Sequence, residues 1–540
     1  MRLRGLLVFL SFFAAITLFY LRLPLNGSLF GDWDTWANLA MFIELRTWLE
    51  SLVTGTDPGQ FFYPYEHPWV AYGLDFFSGI IWVVYTWLGI DEFWAYWLCI
   101  VTILALNSYG AYLVTRSMIR AAWIRWSMAL VLSTHFYLYL FLDWPNLVAV
   151  FPAFLCLHHL QGSNGLRRIG QVFIAGLWCA LLLPLAPYGF IFFGVILGVL
   201  LVRSVPRGLP VRSVLAFAIT VLPLAVVYLW LHDPLNDGGM MDAMSRYAGH
   251  RLYFFDLTSF ARPSVHHELY RWGHTTSFHF MTMRDAFPGF GLAVLALWGL
   301  VRRPVALFMV ALLLLVGLPD TITWGEGVAL VNPLRWVSNA LGLPLDLVRI
   351  PCRVGIALFM VLVVVAFDAL GVLFRHRRVL GLAILACVLV ESWAYEMPRS
   401  DVRSELHRLT RDPVSERVAT VALHLPFGFG GATNDVRNYQ YMILARSHRQ
   451  TIVNGPSSYI PIDLVRLQQV MSDPSLPADS IRSILERWGV SEVVVHPTRA
   501  VSSSDSIQVR HVLGDPSAMS RKVDPAVVRM DVRALPGSTP

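Results

Sequence analysis

Two carboxylates, Asp32 and Asp34, stand two positions apart shortly after the first apolar run of the chain. A carboxylate can act as a general base on an acceptor hydroxyl. A close pair can also hold a divalent cation, Mg²⁺ or Mn²⁺, against phosphate oxygens. The alternative is structural, because Asp34 or Thr35 is also a suitable N-cap for a following helix. The pattern alone therefore leaves catalysis, metal binding and helix capping open.

An aromatic-rich turn follows in the same segment and contains one acid and one imidazole, Glu66 and His67. Aromatic faces with a few polar groups suit stacking on a sugar. They equally suit a belt at the membrane interface. The sequence favours neither interpretation, and Glu66 and His67 are candidate substrate-binding residues.

A second polar segment, 232–285, is rich in histidine and acidic residues. A zinc site needs ligands at specific spacings, and the adjacent pair His266 and His267 does not form a His-x-x-x-His face. A solvated polar loop is therefore the favoured interpretation. Within it, Asp256 and His266 are candidates to complete an active site with the first segment.

Two arginines, Arg349 and Arg353, precede an apolar run near the middle of the chain. A guanidinium group can bind a phosphate through two parallel hydrogen bonds. Residues four apart can share a helix face, although Pro351 between them works against a regular helix. The alternative role is anchoring at the membrane interface by snorkelling. If the substrate is a lipid phosphate, its headgroup is expected here.

The composition indicates whether these residues belong to a soluble protein or to a membrane protein. The chain has 540 residues, of which 56% are apolar and 14% are charged, whereas soluble chains have about 25% charged residues. A soluble fold cannot bury so much apolar surface, so the composition predicts an α-helical polytopic membrane protein of about 11–12 spans. Most arginines form short clusters between apolar runs, for example Arg302/Arg303 and Arg375/Arg377/Arg378. This is the positive-inside pattern and not a nucleic-acid-binding patch.

The apolar runs predict the topology. If the basic clusters between them are cytoplasmic, the N-terminus is cytoplasmic and the segments 26–73, 232–285 and 319–353 face outward. The segment 74–90 does not fit this parity: either it lies in the interface or re-enters, or it crosses and a shorter run does not. The predicted spans are 5–23, 94–115, 121–142, 145–161, 170–184, 187–203, 212–231, 286–301, 304–318, 352–373 and 379–396.

The first apolar run is interpreted as an uncleaved span, because no clear small-x-small cleavage site follows it. After it, the stretch from Trp36 to Leu49 predicts an amphipathic helix that lies on the membrane surface.

From about Pro398 onward charges become frequent and long apolar runs stop. Val418–His424 and Val493–His496 predict short strands, and Ser480–Trp488 predicts a helix that ends at a glycine. The sequence therefore predicts two domains, a transmembrane domain (1–397) and a small extracytoplasmic α/β domain (398–540). None of the five cysteines lies in this tail, so it has no disulfide framework. A P-loop, a convincing Rossmann fingerprint and a Gly-x-Ser-x-Gly elbow are also absent.

In their order along the chain, these motifs resemble the GT-C superfamily of membrane glycosyltransferases, and more closely bacterial 6-pyruvoyl-tetrahydropterin synthase-related multi-span membrane proteins. The chain departs from the pattern at Cys352, where a serine is expected, and it has no clear second acidic motif in a later loop. The residues that carry the resemblance are Gly31, Asp32, Asp34, Thr35, Phe62, Tyr63, Pro64, Phe255, Asp256, Leu257, Arg262, Pro263, Ser264, Arg349, Pro351, Arg353, Ile452–Gly455 and Trp488–His496.

The resemblance implies a multi-pass protein of the bacterial cytoplasmic membrane with its tail outside. It implies transfer of a sugar from a polyprenyl-phosphate-linked donor in the membrane lipid to a glycan, lipid or protein acceptor. Asp32 or Asp34 would be the catalytic base, Arg349 and Arg353 would contact the donor phosphate, and nucleic acid is not an expected partner. A transporter or lipid flippase, and a non-catalytic envelope assembly protein, are the alternatives.

Replacement of both Asp32 and Asp34 by asparagine tests the catalytic interpretation. Asparagine keeps the size of the side chain but cannot accept the hydroxyl proton, so sugar transfer measured in isolated membranes is expected to stop. Transfer that survives both changes would contradict this mechanism.

Overall fold

The computed structural model is mostly helical. It describes residues 3–30, 34–55, 76–139, 141–142, 144–163, 168–204, 211–232, 240–242, 260, 269, 287–324, 328–340, 351–394, 399–411, 421–427, 432–447, 451–454, 459–473, 475, 478–496, 502–513 and 528–531.

The α-helices are numbered in chain order. They are α1 (Leu3–Tyr20), α2 (Arg22–Leu25), α3 (Asp34–Thr54), α4 (Phe76–Trp87), α5 (Glu92–Val114), α6 (Ala122–Thr134), α7 (Phe136–Tyr139), α8 (Pro145–Val148), α9 (Phe151–Gly162), α10 (Ile169–Leu185), α11 (Pro187–Ser204), α12 (Val211–His232), α13 (Phe290–Arg302), α14 (Pro304–Gly317), α15 (Pro333–Ala340), α16 (Gly355–His376), α17 (Arg378–Trp393), α18 (Arg403–Arg411), α19 (Ala432–Ser447), α20 (Ile462–Met471), α21 (Ala478–Arg487) and α22 (Ser503–Leu513).

The strands are short and numbered in the same way. They are β1 (Ser28–Phe30), β2 (Met240–Asp242), β3 (Thr321–Trp324), β4 (Val328–Val331), β5 (Arg399–Asp401), β6 (Val421–Leu425), β7 (Thr451–Ile452), β8 (Tyr459–Pro461), β9 (Glu492–Val495) and β10 (Val528–Asp531).

The chain divides into two compact units. Unit 1 contains residues 1–31, 75–229 and 247–400, and unit 2 contains residues 32–74, 230–246 and 401–540.

Unit 1 contains the long apolar helices. By length and composition, three described helical segments are able to cross a bilayer: Leu3–Tyr20, Glu92–Ser117 and Gly355–His376. A fourth crossing results if α13 and α14, which meet at a bend of 118°, count as one broken span. Among the residues described with their side chains, the other apolar helical stretches are shorter, so the expected total of about 11–12 crossings stays a prediction.

One predicted membrane span, 121–142, is not a continuous helix. α6 ends at Thr134, and His135 adopts an extended backbone before α7 begins. The backbone N–H of Tyr137 donates to Nδ1 of His135 at 3.1 Å, so Nε2 carries the proton and faces the carbonyl oxygen of Pro288 at 3.1 Å. The imidazole thus occupies the break and joins it to the segment before α13.

A second break separates α8 from α9 within the run predicted as the span 145–161. Asn107 of α5 is fully buried there. Its Nδ2 donates to the carbonyl of Val148 at 2.6 Å, and its Oδ1 accepts from the N–H of Val150 at 3.1 Å. Irregular backbone at membrane depth is tolerated only when its polar groups are satisfied inside the protein. Asn107 adds one hydrogen bond to each of these two groups, which also bond each other at 2.8 Å.

Close helix packing holds α13 against α16. A Cβ added at Gly299 would overlap the backbone carbonyl of Val365. Small residues allow helix backbones to approach closely in membrane proteins, so glycine at this position sets the distance between the two helices.

The start of α13 is held by a buried acid of α17. Glu391 is 2% exposed, and its carboxylate accepts from the backbone N–H of Phe290 at 3.0 Å and of Gly291 at 2.8 Å. Free N–H groups and the helix dipole make a helix N-terminus a favourable place for a negative charge. Gly289 permits this approach, because its φ is +88° and an added Cβ would lie 2.9 Å from Glu391 Oε2.

Unit 2 contains a four-stranded sheet in the order β10-β9-β6-β7. β6 pairs in parallel with β7 and β9, and β10 pairs antiparallel with β9. The predicted strands at Val418–His424 and Val493–His496 correspond to β6 and β9, and the predicted helix corresponds to α21. The interpretation of residues 398–540 as an extracytoplasmic α/β domain stays a prediction.

Polar side chains close the sheet of unit 2 at the carboxyl ends of its parallel strands. Nδ1 of His424 and Nε2 of His496 are 3.1 Å apart, and both imidazoles are buried. Asn454 bonds both the N–H and the carbonyl of His424, at 2.6 and 2.9 Å. Nearby, Arg437 and Asp505 form a buried ion pair through two contacts of 3.1 and 3.2 Å.

The predicted amphipathic helix corresponds to α3, and its expected position on the membrane surface stays a prediction. Its apolar side chains are buried, and the helix packs against α19 of the same unit. The buried set is Trp36, Leu39, Ala40, Met41, Phe42, Ile43 and Leu45.

Replacement of Glu391 by alanine is expected to lower the free energy of unfolding by about 2–4 kcal/mol, because two buried N–H donors lose a charged acceptor. Glu391→Gln keeps one acceptor oxygen, so it should lower the free energy of unfolding by less than Glu391→Ala does. The measurement is thermal unfolding of the purified full chain. Val390→Ala, an exposed position of the same helix, is the control, and equal losses in Glu391→Ala and Val390→Ala would contradict the role assigned to Glu391.

Candidate functional site: an apolar cavity with arginine at both ends

The main candidate site is a cavity of about 560 Å³ in unit 1. Its walls are the side chains of α9, α11, α14 and α16, and they are almost entirely apolar. Ligand pockets of proteins have about 300–1,000 Å³ and mostly apolar walls. The wall residues include Phe154, Leu157, Phe192, Phe193, Ile196, Met309, Ala357, Met360, Val361 and Val364.

One end of the cavity carries Arg353, which lies in the 3₁₀ turn Pro351–Val354 just before α16. Its guanidinium carbon lies 5.3 Å from the centre of the Trp144 ring. This distance is within the range of a cation–π interaction, which stabilises a guanidinium group without neutralising its charge. Arg353 therefore places one positive charge at the end of an apolar space.

The irregular segment around α8 shapes the same end. Trp144 precedes α8, and Leu147 and Val150 line the cavity. The two hydrogen bonds of Asn107 fix the backbone at Val148 and Val150, so Asn107 positions this wall although it is not itself a lining residue.

The opposite end carries Arg302 and Arg303, together with Thr115 and Gln161. Nε of Arg303 donates to Asp368 Oδ2 at 3.0 Å. Asp368 is the acid that the sequence places within a predicted span, and the structure pairs it with this arginine.

The cavity is elongated. Along α16 its lining runs from Arg353 to Val365, a separation of twelve residues, which is about 18 Å at the rise of an α-helix. A long apolar chain attached to one anionic group matches this distribution of apolar wall and terminal charge.

Among the predicted site residues, the structure describes the backbone and side chain of Arg353 but only the backbone of Asp34. α3 begins at Asp34, which places this residue in the first turn of the helix. An acid is favoured there by the helix dipole, whereas the alternative of an N-cap at Asp34 or Thr35 stays a prediction. The residues Asp32, Glu66, His67, Asp256, His266 and Arg349 lie outside the described residues. Their meeting with Arg353 in one site stays a prediction.

Metal binding is not seen in the described part of the chain, where no group of three or more His, Cys, Asp or Glu side chains is suitably placed. The side chains of Asp32 and Asp34, the predicted ligands, are not among those that the structure describes. Binding of a divalent cation therefore stays a prediction.

Sequence reasoning missed Trp144, Asn107 and the arginines at the second end. Arg302 and Arg303 were assigned only to a cytoplasmic basic cluster. A signal for Asn107 was available, because a lone amide in the middle of an apolar span is expected to bond irregular backbone.

Comparison with known proteins gives no family: the chain matches no protein-family profile and no curated protein. The closer resemblance to 6-pyruvoyl-tetrahydropterin synthase-related proteins therefore has no support there.

Among solved structures, the chain is similar to the oligosaccharyltransferase of Archaeoglobus fulgidus. The crystal structure of its complex with Zn and sulfate matches with a TM-score of 0.48 and 13% identity, over 93% of this chain and 69% of that chain. The archaeal oligosaccharyltransferase AglB with an inhibitory peptide and a dolichol-phosphate gives 0.46 and 13%, over 96% and 72%. The apo form gives 0.46 and 13%, over 93% and 71%.

Replacement of Asn107 by leucine is expected to lower the free energy of unfolding by about 1–3 kcal/mol, because the carbonyl of Val148 and the N–H of Val150 each lose one buried hydrogen bond. Thermal unfolding of the purified chain measures the loss. The control is Asn26→Leu, whose side chain is exposed. A loss no larger than that of the control would show that the α8 segment does not depend on Asn107.

Proposed function

We propose that the chain is a GT-C-type glycosyltransferase that uses a polyprenyl-phosphate-linked sugar. The observation that carries this proposal is the elongated apolar cavity of unit 1 with Arg353 at one end. The order of sequence motifs that resembles the GT-C superfamily supports it independently.

The cavity supplies the affinity for the lipid part of the donor. A polyprenyl chain is long, apolar and free of hydrogen-bonding groups, and the walls between the two ends are of the same character. In a bilayer, the favourable free energy of binding the polyprenyl chain comes from close van der Waals contact with the cavity walls, because the lipid tails outside are equally apolar. A shaped groove therefore selects a branched, flexible isoprenoid by fit.

Arg353 supplies the contact with the phosphate. Its positive charge lies beside the Trp144 ring at the cavity end. A guanidinium–phosphate pair is strengthened by charge and by parallel hydrogen bonds. As the bond from the sugar to the phosphate breaks, negative charge grows on the leaving phosphate, and a fixed cation stabilises this charge more than that of the bound donor.

The chemistry of transfer requires a base. In the proposed reaction, an acceptor hydroxyl loses its proton to Asp32 or Asp34 and its oxygen forms a bond to the anomeric carbon. The bond from that carbon to the donor phosphate oxygen breaks, and its electron pair leaves with the lipid phosphate. Glu66, His67, Asp256, His266 and Arg349 are proposed to bind the sugar, the phosphate or the acceptor.

The transporter alternative expects ionisable residues in mid-span that serve a translocation path. The acid best placed for this role, Asp368, is paired with Arg303 at an end of the cavity. This pairing favours a structural role for Asp368 and supports the transferase over the transporter.

The proposed location follows from the sequence. The basic clusters place the Arg302 end on the cytoplasmic side and the Arg353 end on the outer side of a bacterial cytoplasmic membrane. The acceptor would then be a glycan, lipid or protein outside the cytoplasm.

The test of this function is Arg353→Gln. Loss of one charge-assisted phosphate contact, worth about 1.5–3 kcal/mol, is expected to weaken binding of polyprenyl phosphate by roughly 10- to 100-fold. Sugar transfer from a polyprenyl-phosphate sugar should fall at least as much. Binding to the purified chain and transfer in reconstituted vesicles are the two measurements.

The matched control is Arg22→Gln, an exposed arginine at the start of α2 that does not line the cavity. It should bind and transfer as the unmodified chain does. If Arg353→Gln equals this control in both assays, the cavity is not the donor site. If lipid binding falls but the unmodified chain transfers no sugar from any polyprenyl-phosphate donor, the enzyme assignment is wrong.

A further inference from the structure

We propose that the Arg302 end of the cavity is a separate binding site for the headgroup of an anionic phospholipid. The donor proposed above uses the Arg353 end, about 18 Å away along α16. The second end has its own charge, its own aromatic partner and its own access to the apolar walls.

The charge at this end is unbalanced. Arg303 is paired with Asp368 through a contact of 3.0 Å. Arg302 also lines the cavity, and the ion pairs found in the described part of the chain do not include it. The three groups together therefore carry one net positive charge, which matches the single negative charge of a phosphodiester.

Trp298 holds the unbalanced arginine in place. The guanidinium carbon of Arg302 lies 5.6 Å from the centre of the Trp298 ring, one helical turn earlier on α13. Stacking on the ring leaves the N–H groups of the guanidinium able to bind phosphate oxygens. Tryptophan and arginine are also the residue types that lie at headgroup level in membrane proteins. The pair is thus suited to a lipid headgroup at the interface.

The apolar walls identify the ligand as a lipid and not a free phosphate. Val305, Ala306 and Leu200 line the cavity next to the two arginines. An acyl chain attached to the bound phosphate can enter between them, whereas inorganic phosphate gains nothing from these walls. A zwitterionic lipid brings its own positive charge, which repels Arg302. Anionic phospholipids such as phosphatidylglycerol are therefore the expected class.

Both ends open into one cavity, and this has a consequence that depends on the proposed donor. The cavity between the two ends is about 18 Å long and has a volume of about 560 Å³. An acyl chain from the Arg302 end and a polyprenyl chain from the Arg353 end cannot both fill it. The two lipids are expected to compete, with the phospholipid occupying the cavity until the donor displaces it.

The experiment measures lipid binding to the purified full chain by native mass spectrometry and by thermal shift. The probes are phosphatidylglycerol, phosphatidylcholine and inorganic phosphate. Phosphatidylglycerol is expected to remain bound and to raise the unfolding temperature, whereas the other two are not. Arg302→Gln should weaken phosphatidylglycerol binding at least about tenfold, and Arg302→Lys, which keeps the charge, should weaken it less.

The matched control is Arg375→Gln, an exposed arginine of a neighbouring basic cluster that does not line the cavity. Binding of phosphatidylglycerol should be unchanged in it. Equal binding of phosphatidylcholine, protection by inorganic phosphate, or equal loss in Arg302→Gln and Arg375→Gln would each overturn the site.

The same assay separates this site from the donor site. Polyprenyl phosphate added to the unmodified chain should displace phosphatidylglycerol, and Arg353→Gln should reduce this displacement without reducing phosphatidylglycerol binding itself. If phosphatidylglycerol binds through Arg302 but polyprenyl phosphate binds nowhere, the donor proposal fails alone. If polyprenyl phosphate binds through Arg353 and phosphatidylglycerol does not bind, the phospholipid site fails alone.

Discussion

Inside a bilayer a peptide group without a hydrogen-bond partner is costly, and unit 1 depends on how its broken helices meet this constraint. Each break has one buried side chain beside it. Asn107 bonds the backbone after α8, His135 fills the gap after α6, and Glu391 accepts the first N–H groups of α13. Continuous helices would need none of these residues. They would also pack without the irregular wall that forms one end of the cavity.

The cavity of unit 1 also combines apolar walls with a few polar groups. A guanidinium group beside apolar walls must keep its charge solvated or matched. The guanidinium groups of Arg353 and Arg302 each lie beside an aromatic ring. A ring stabilises a cation without cancelling its charge. An ion pair such as that of Arg303 and Asp368 cancels the charge of the arginine.

Much of unit 1 was predictable because apolar runs and arginine clusters are local signals. The helices α1, α5, α10, α12 and α16 lie where the sequence predicts them. Arg353 lines the cavity, and its predicted contact with a phosphate stays a prediction. The break at His135 was not predicted, since no proline or glycine marks it and the imidazole acts through a carbonyl far along the chain. The partner of α3 was also missed. Its tryptophans suit an interface as well as a protein core, and its packing on α19 depends on residues distant in the sequence that no local pattern identifies.

The anchoring of α13 at its first residues also limits how its far end can move. The carbonyl of Pro288 is bonded to His135, and the N–H groups of Phe290 and Gly291 are bonded to Glu391. The start of α13 is therefore held by side chains from two other parts of unit 1. The far end of α13 carries Arg302. A change in the position of Arg302 consequently requires α13 to turn about this fixed start or to bend along its length.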